Sequence, residues 1–201
     1  MTEFPQRSEY ELAWRAAVDL RRSLLSGGRL PTLQATPIRV PDDDVPHAHL
    51  LLQYSRWYAT TVGHSRSSTL AFGSPAFIAG SIAASVIGNN LAKNRAEAQA
   101  AAQWRDFQPA QVVLTGRRCL ITAAGQWLTF DHERVMEVIP MLNEGSLVLT
   151  FSAAEPLRLT GPWASWLTVA LVHLIFGTAQ LGDRPDMALF GAGAQKTLWP
   201  G

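Results

Sequence analysis

Between Gln111 and Thr160 the chain is cut into six short runs, and nothing else in it limits the fold so tightly. The runs are Gln111 to Thr115, Arg118 to Ala123, Gln126 to Phe130, Arg134 to Met141, Ser146 to Phe151 and Pro156 to Thr160. Apolar and polar residues alternate along them, which puts one set of side chains on each face of an extended strand. The breaks at Thr115-Gly116, Ala124-Gly125, Asp131-His132, Asn143-Glu144-Gly145 and Ala154-Glu155 are short and built from turn-forming residues. Connections that short join antiparallel neighbours, because a parallel crossover needs a dozen residues or more. The spacing predicts an antiparallel meander. His49 to Thr61, rich in Leu, Tyr, Trp and Thr, adds a seventh strand ahead of it.

Helical signals surround the strands. Ser8-Glu9-Tyr10-Glu11 matches a capping box, and Ala13, Trp14, Ala17, Leu20, Leu24 and Leu25 follow at helical spacing until Gly27-Gly28, so residues 9 to 25 read as an amphipathic helix. From Leu30 to Pro46 four prolines and the run Asp42-Asp43-Asp44 read as an exposed linker, which makes the first 46 residues an appendage. Gly63 to Ser68 is a predicted turn from which Thr69 to Phe72 pairs back. Ser74 as N-cap and Pro75 at the first helical position open a long helix to about Arg105, with Pro109 closing the connection. Gly161-Pro162 opens a last helix, Trp163 to about Gly177, and residues 178 to 201 read as an irregular tail. The predicted domain is therefore residues 47 to 177, with an inserted helix at about 75 to 105.

The 201 residues suit one domain of ordinary size. Hydrophobic residues make up 47% and charged ones 16%, below the usual quarter, which excludes a disordered chain and demands much apolar burial. A net charge of +1 without a basic run argues against nucleic acid as a partner. One cysteine, Cys119, cannot form an internal disulfide, and Met1 to Leu12 holds no apolar stretch of the secretory kind, so a cytoplasmic location is expected.

Chemistry is sparse. His47 and His49 lie on one face of an extended segment beside Asp42, Asp43 and Asp44, and these two histidines are the weak candidates for a metal site. Two ligands do not complete a shell, and a solvated acidic loop is the simpler account, so no metal is expected. Asp131-His132-Glu133 falls in a predicted turn, where solvation explains it. Cys119 has Arg117 and Arg118 nearby, but alternation sends its thiol to the face opposite Arg118 and into the core. No phosphate loop, dinucleotide fingerprint, nucleophile elbow or zinc-protease motif occurs, so neither an enzyme nor a cofactor is expected.

Two segments lack any Asp, Glu, Lys or Arg: the residues between Arg66 and Lys93, and those between Arg158 and Asp183. In the first, Gly80, Ala84 and Gly88 recur every four positions, a spacing that lets helix backbones approach closely, and Phe77 belongs to the apolar surface beside them. In the second, Trp163 and Trp166 begin a helix apolar on most sides. These six residues are the expected helix-packing interface, and the expected partner is a second copy or another protein. The alternative is a membrane-associated chain with residues 72 to 92 and 163 to 181 in or on the bilayer.

The segments "VVLTGRRCLIT" (Val112 to Thr122), "QWLTF", "EGSLVLTF" and "EPLRLTG" with a closing helix resemble the bacterial pleckstrin-homology-like, GRAM-like domains. Thr115, Gly116, Arg117, Arg118 and Leu120 approximate a recurring strand end of that group. The "AAQWR" helix end and "PLRLTG" resemble those of actinobacterial proteins of this type. Over residues 48 to 177 the resemblance implies an α+β fold: a seven-stranded antiparallel barrel or bent sheet plugged by a C-terminal helix. It also implies a module that binds lipids, peptides or protein surfaces and catalyses nothing. His64, Arg66 and Arg56 are too few for a clustered phosphoinositide site.

Overall fold

The computed structural model describes residues 4–60 and 101–191. The chain divides into two compact units, residues 1–57 with 104–201 and residues 58–103.

The predicted strands are present and form one seven-stranded antiparallel sheet. They are β1 (Pro46–Tyr58), β2 (Gln103–Thr115), β3 (Arg118–Ala123), β4 (Gln126–Asp131), β5 (Val135–Met141), β6 (Ser146–Phe151) and β7 (Leu157–Thr160). Their order across the sheet is β4-β3-β2-β1-β7-β6-β5. Between β3 and β4 the two-residue turn Ala124-Gly125 has φ of 50° and 75°. That is the primed hairpin geometry whose twist matches the flanking strands, and it fixes the register from Arg118↔Asp131 to Ala123↔Gln126 without a slip. Strands β4 and β5 are consecutive in the chain, joined by one 3₁₀ turn (His132–Arg134), yet stand at opposite ends of the order. They are not hydrogen-bonded to each other, so the sheet is not closed and the expected barrel is corrected to an open sheet.

Helix α1 (Phe4–Leu25) begins before the expected capping box, which leaves Ser8 inside the helix rather than at its cap. Pro5 is tolerated in a first turn, where amides have no intrahelical partner. The last strand leads through Gly161 to α2 (Ala164–Phe176), and α3 (Thr178–Asp183) follows at once. Ala164 and Trp166 to Val172 are all buried. The reason is placement: α2 packs against β5 and β6 on one side and against α1 on the other. A helix apolar all round needs cover on every side, and here the sheet and α1 supply it.

Two expectations about the ends are corrected by the same packing. Residues 9 to 25 are no appendage: Ala13, Trp14, Ala17, Leu20 and Leu24 are buried in the common core. Residues 178 to 191 are no irregular tail either, because α3 and a 3₁₀ turn (Met187–Phe190) fold back onto α1 and bury Leu181, Met187 and Phe190. Trp14 stacks on Phe190 with ring centroids 4.9 Å apart, and the Arg21 Nε donates to the Leu181 carbonyl at 3.0 Å. At Gly145 the backbone is left-handed (φ 56°), and a Cβ there would stand 2.7 Å from the Tyr10 ring. Glycine is needed both for the turn into β6 and for the close approach of α1.

The predicted helix to Arg105 is wrong at its end. Gln103, Trp104 and Arg105 open β2 instead. β3 pairs with Val112 to Leu114, so the first half of β2, with Pro109 and the positive φ of Asp106, extends beyond that ladder. The body of the predicted helix, residues 75 to 100, and the predicted pairing of Thr69 to Phe72 lie outside the described residues. Among the described residues no helix is long and apolar enough to cross a membrane, and the charge-free stretch after Arg158 is divided among β7, α2 and α3.

Candidate functional site

One polar cluster lies below the N-terminal end of β1, where the segment after α1 meets the β2–β3 turn. Asp44 was expected in solvent with its acidic neighbours, but its side chain is fully buried. Its Oδ2 accepts from the Thr115 hydroxyl at 2.7 Å and its Oδ1 from the Arg117 amide at 3.1 Å. Thr115 in turn accepts from the Arg118 amide at 3.1 Å. Arg118 Nε stands 3.2 Å from Asp44 Oδ2, an ion pair out of line for a hydrogen bond, so that its N–H is left without a partner. On the rim Arg117 pairs with Asp43 at 2.6 Å, and the Gly116 amide donates to the Val45 carbonyl at 2.9 Å. The cluster clasps residues 43 to 45 onto the β2–β3 turn. A buried carboxylate is tolerated there because two donors and a guanidinium replace its water.

His132 closes the clasp from behind. Its amide donates to the Arg117 carbonyl at 2.9 Å, and its ring is buried rather than solvated as the turn composition predicted. Burial pushes its pKa down to about 4, against the opposing pull of a Gly116 backbone hydrogen bond and the Asp44 charge. Cys119, in the core as expected, lies 4.0 Å from His132 Nε2, and burial pushes its thiol up to about 12. Cysteine nucleophiles work as thiolates beside an imidazolium. This pair is a thiol beside a neutral ring, closed off from solvent, so its geometry is that of packing rather than of a nucleophile and its base.

The candidate metal ligands are taken up by neighbours. His47 Nδ1 bonds the Pro31 carbonyl at 2.8 Å, and His49 Nε2 bonds Gln111 Oε1 at 3.0 Å. Asp43 and Asp44 turn to Arg117 and Thr115 instead of to the histidines. Among the described residues no three His, Cys, Asp or Glu side chains come together as a metal site.

A second group, missed in the sequence, is an arginine–aromatic strip. Trp57 and Trp104 meet edge to face with centroids 5.4 Å apart, and Arg158 lies 5.4 Å over the Trp104 ring while pairing with Glu144 at 3.3 Å. Arg56, next along β1 and so on the other face, sits 5.6 Å from Phe130 and 6.0 Å from Phe151, with Glu155 at 3.5 Å. Strand alternation in β1 was the available signal, but the partners come from β2, β4, β6 and β7. Adjacency of β2, β1 and β7 accounts for the Trp57, Trp104 and Arg158 contacts, whereas Phe130 and Phe151, on strands five places apart in the order, meet with centroids 5.5 Å apart because the sheet curves.

Of the expected helix-packing residues, Trp166 is buried in the core, and Trp163 is half-buried with its indole N–H donating to Glu9 Oε1 at 3.1 Å. Both serve contacts within the chain. Phe77, Gly80, Ala84 and Gly88 lie outside the described residues. Ser146 is buried with its hydroxyl unpaired beside a cavity of about 20 Å³ bounded by Tyr10, Leu142 and Ser165, room for about one water molecule. No family model matches the chain, and no curated protein matches it.

Proposed function

We propose that the chain is a non-enzymatic, pleckstrin-homology-like binding or scaffold protein that acts through protein–protein contact. The observation that carries this reading is the strand order β4-β3-β2-β1-β7-β6-β5 with a helix directly after the last strand, packed over the sheet. Seven antiparallel strands followed by a closing helix are what the sequence resemblance implies for such modules, whose function resides in surfaces rather than in a catalytic pocket. The chemistry of the clasp supports it too, since its histidine and thiol are both neutral and enclosed.

Self-association through the small-residue stripe Gly80, Ala84 and Gly88 is the contact proposed, on the spacing alone. Light scattering of the purified chain tests it. The expected result is a mass above one chain without detergent, falling on Gly80→Leu, because a leucine holds the two backbones apart. A single-chain mass that Gly80→Leu leaves unchanged sinks the seam. Co-sedimentation with lipid vesicles that persists in high salt favours instead the bilayer reading of residues 72 to 92.

A further inference from the structure

The two edges of the sheet are built differently. Edge strand β5 is guarded: its register shifts between Val135 and Glu137, Pro140 interrupts its amides, and Arg184, held by Asp186, donates to the Val138 carbonyl at 2.8 Å. A bulge, a proline and a capping cation are devices by which proteins stop an open edge from pairing with another chain. Edge strand β4 has none of them. Its six residues pair with β3 one for one, and from Gln126 to Phe130 it carries no ionisable side chain and no proline.

Hairpin geometry fixes which of its main-chain groups face outward. In a two-residue hairpin the flanking residues, Ala123 and Gln126, exchange hydrogen bonds, and the pattern then repeats every second residue. Gln126, Leu128 and Phe130 therefore bond to β3, and the His132 amide continues the same parity by donating to the Arg117 carbonyl. The amides and carbonyls of Trp127, Thr129 and Asp131 point off the sheet. Among the described residues no hydrogen bond to them is made from that side.

We propose that β4 is a self-association edge, on which the β4 strand of a second copy pairs antiparallel about a two-fold axis at Thr129. Outward residues must meet outward residues, and one register uses all three: Thr129 opposite Thr129, with Trp127 opposite Asp131 on each side of the axis. That register gives about six main-chain hydrogen bonds. A second copy is the fitting occupant for two reasons. The strand is complementary to itself, since this register sets each Trp127 indole beside the Asp131 carboxylate of the other copy, a carboxylate that within its own chain lies 3.8 Å from the exposed Arg134 Nε. No like charges are brought together, since the Asp131 side chains stand four residues apart along the ladder, about 13 Å. Pairing also places Leu128 opposite Phe130, both half-buried against the core now, so each copy extends the other's apolar face. This contact is independent of the Gly80 stripe.

The test uses the full chain in a Gly80→Leu background, so that the two interfaces are read separately. Light scattering is expected to show a dimer, and hydrogen exchange at the Thr129 amide is expected to slow at least tenfold between low and high protein concentration. Thr129→Pro deletes an outward amide without touching the β3 ladder and is expected to give single-chain mass with an unchanged circular dichroism spectrum. Thr129→Lys, which sets two ammonium groups across the axis, is expected to weaken association at least tenfold and serves if the proline variant does not fold. Thr129 exchange that is fast and independent of concentration overturns the proposal, as does a dimer whose mass neither substitution changes.

Discussion

His132 is the residue whose environment departs furthest from its sequence context. It sits between Asp131 and Glu133, and yet its ring is buried and held neutral, with a folded pKa near 4 against an ordinary 6.5. Below 6.5 the unfolded chain takes a proton that the folded chain refuses, so stability from this group is fully present above pH 6.5 and lost as pH falls towards 4. The shift corresponds to at most about 3 kcal/mol. Urea unfolding followed from pH 7.5 to 4 is expected to show that slope, and His132→Asn to flatten it over the same window while the carboxylates titrate in both proteins. Asp44 calls for a different measurement. Its removal in Asp44→Ala strands the Thr115 hydroxyl, the Arg117 amide and the Arg118 guanidinium, an expected loss of about 3 kcal/mol in chemical denaturation. Asp44→Asn, which keeps one acceptor, is expected to lose less. Cys119, with its thiol pushed up to about 12, is expected to resist thiol reagents at pH 8 in the folded protein and to react once urea unfolds it.

Elements were legible where the signal is local. Period-two alternation and the Ala124-Gly125 turn place β3 and β4 almost to the residue, because both depend on neighbours a few positions apart. The start of β2 was not legible, since the alanine-rich stretch before it continues a helical pattern and Trp104 earns its strand geometry from Trp57 and Arg158, which are distant in sequence. The clasp was hidden for a similar reason: Asp42, Asp43 and Asp44 are alike in sequence, and only the turn at Gly116 singles out Asp44 for burial. In α1 the periodic residues were visible while their partners were not. Trp14 stacks on Phe190, a residue of a tail that composition alone describes as irregular. Trp14→Ala and Phe190→Ala are each expected to cost about 3 kcal/mol or more. Because the two rings touch, the double variant should cost about 1 kcal/mol less than the sum, and a double-mutant cycle reads that coupling. Strict additivity would mean that the stack contributes nothing of its own.

At the scale of the molecule, a charged fraction of only 16% called for a large buried apolar surface, and a sheet with one helix does not provide it. The layering does. The sheet covers one side of α2, α1 covers the other, and the segment from Thr178 to Phe190 closes over α1. Helix α2 is thus the centre of the core rather than a plug at its margin, and α1 is a third layer rather than an appendage. Cooperativity distinguishes those two descriptions. An appended α1 would melt by itself and leave the sheet domain standing. A third layer cannot leave without exposing apolar residues of α2 that are now buried. Thermal unfolding of the full chain is therefore expected to lose helix and tryptophan signals in coincident transitions. A chain beginning at Arg29 is expected to bind hydrophobic dyes, to lose cooperative unfolding and to aggregate, because α1 makes the most extensive contact of any helix with α2. Recovery of a soluble, cooperatively folded protein from that deletion would restore the appendage description and require a different partner for the outer side of α2.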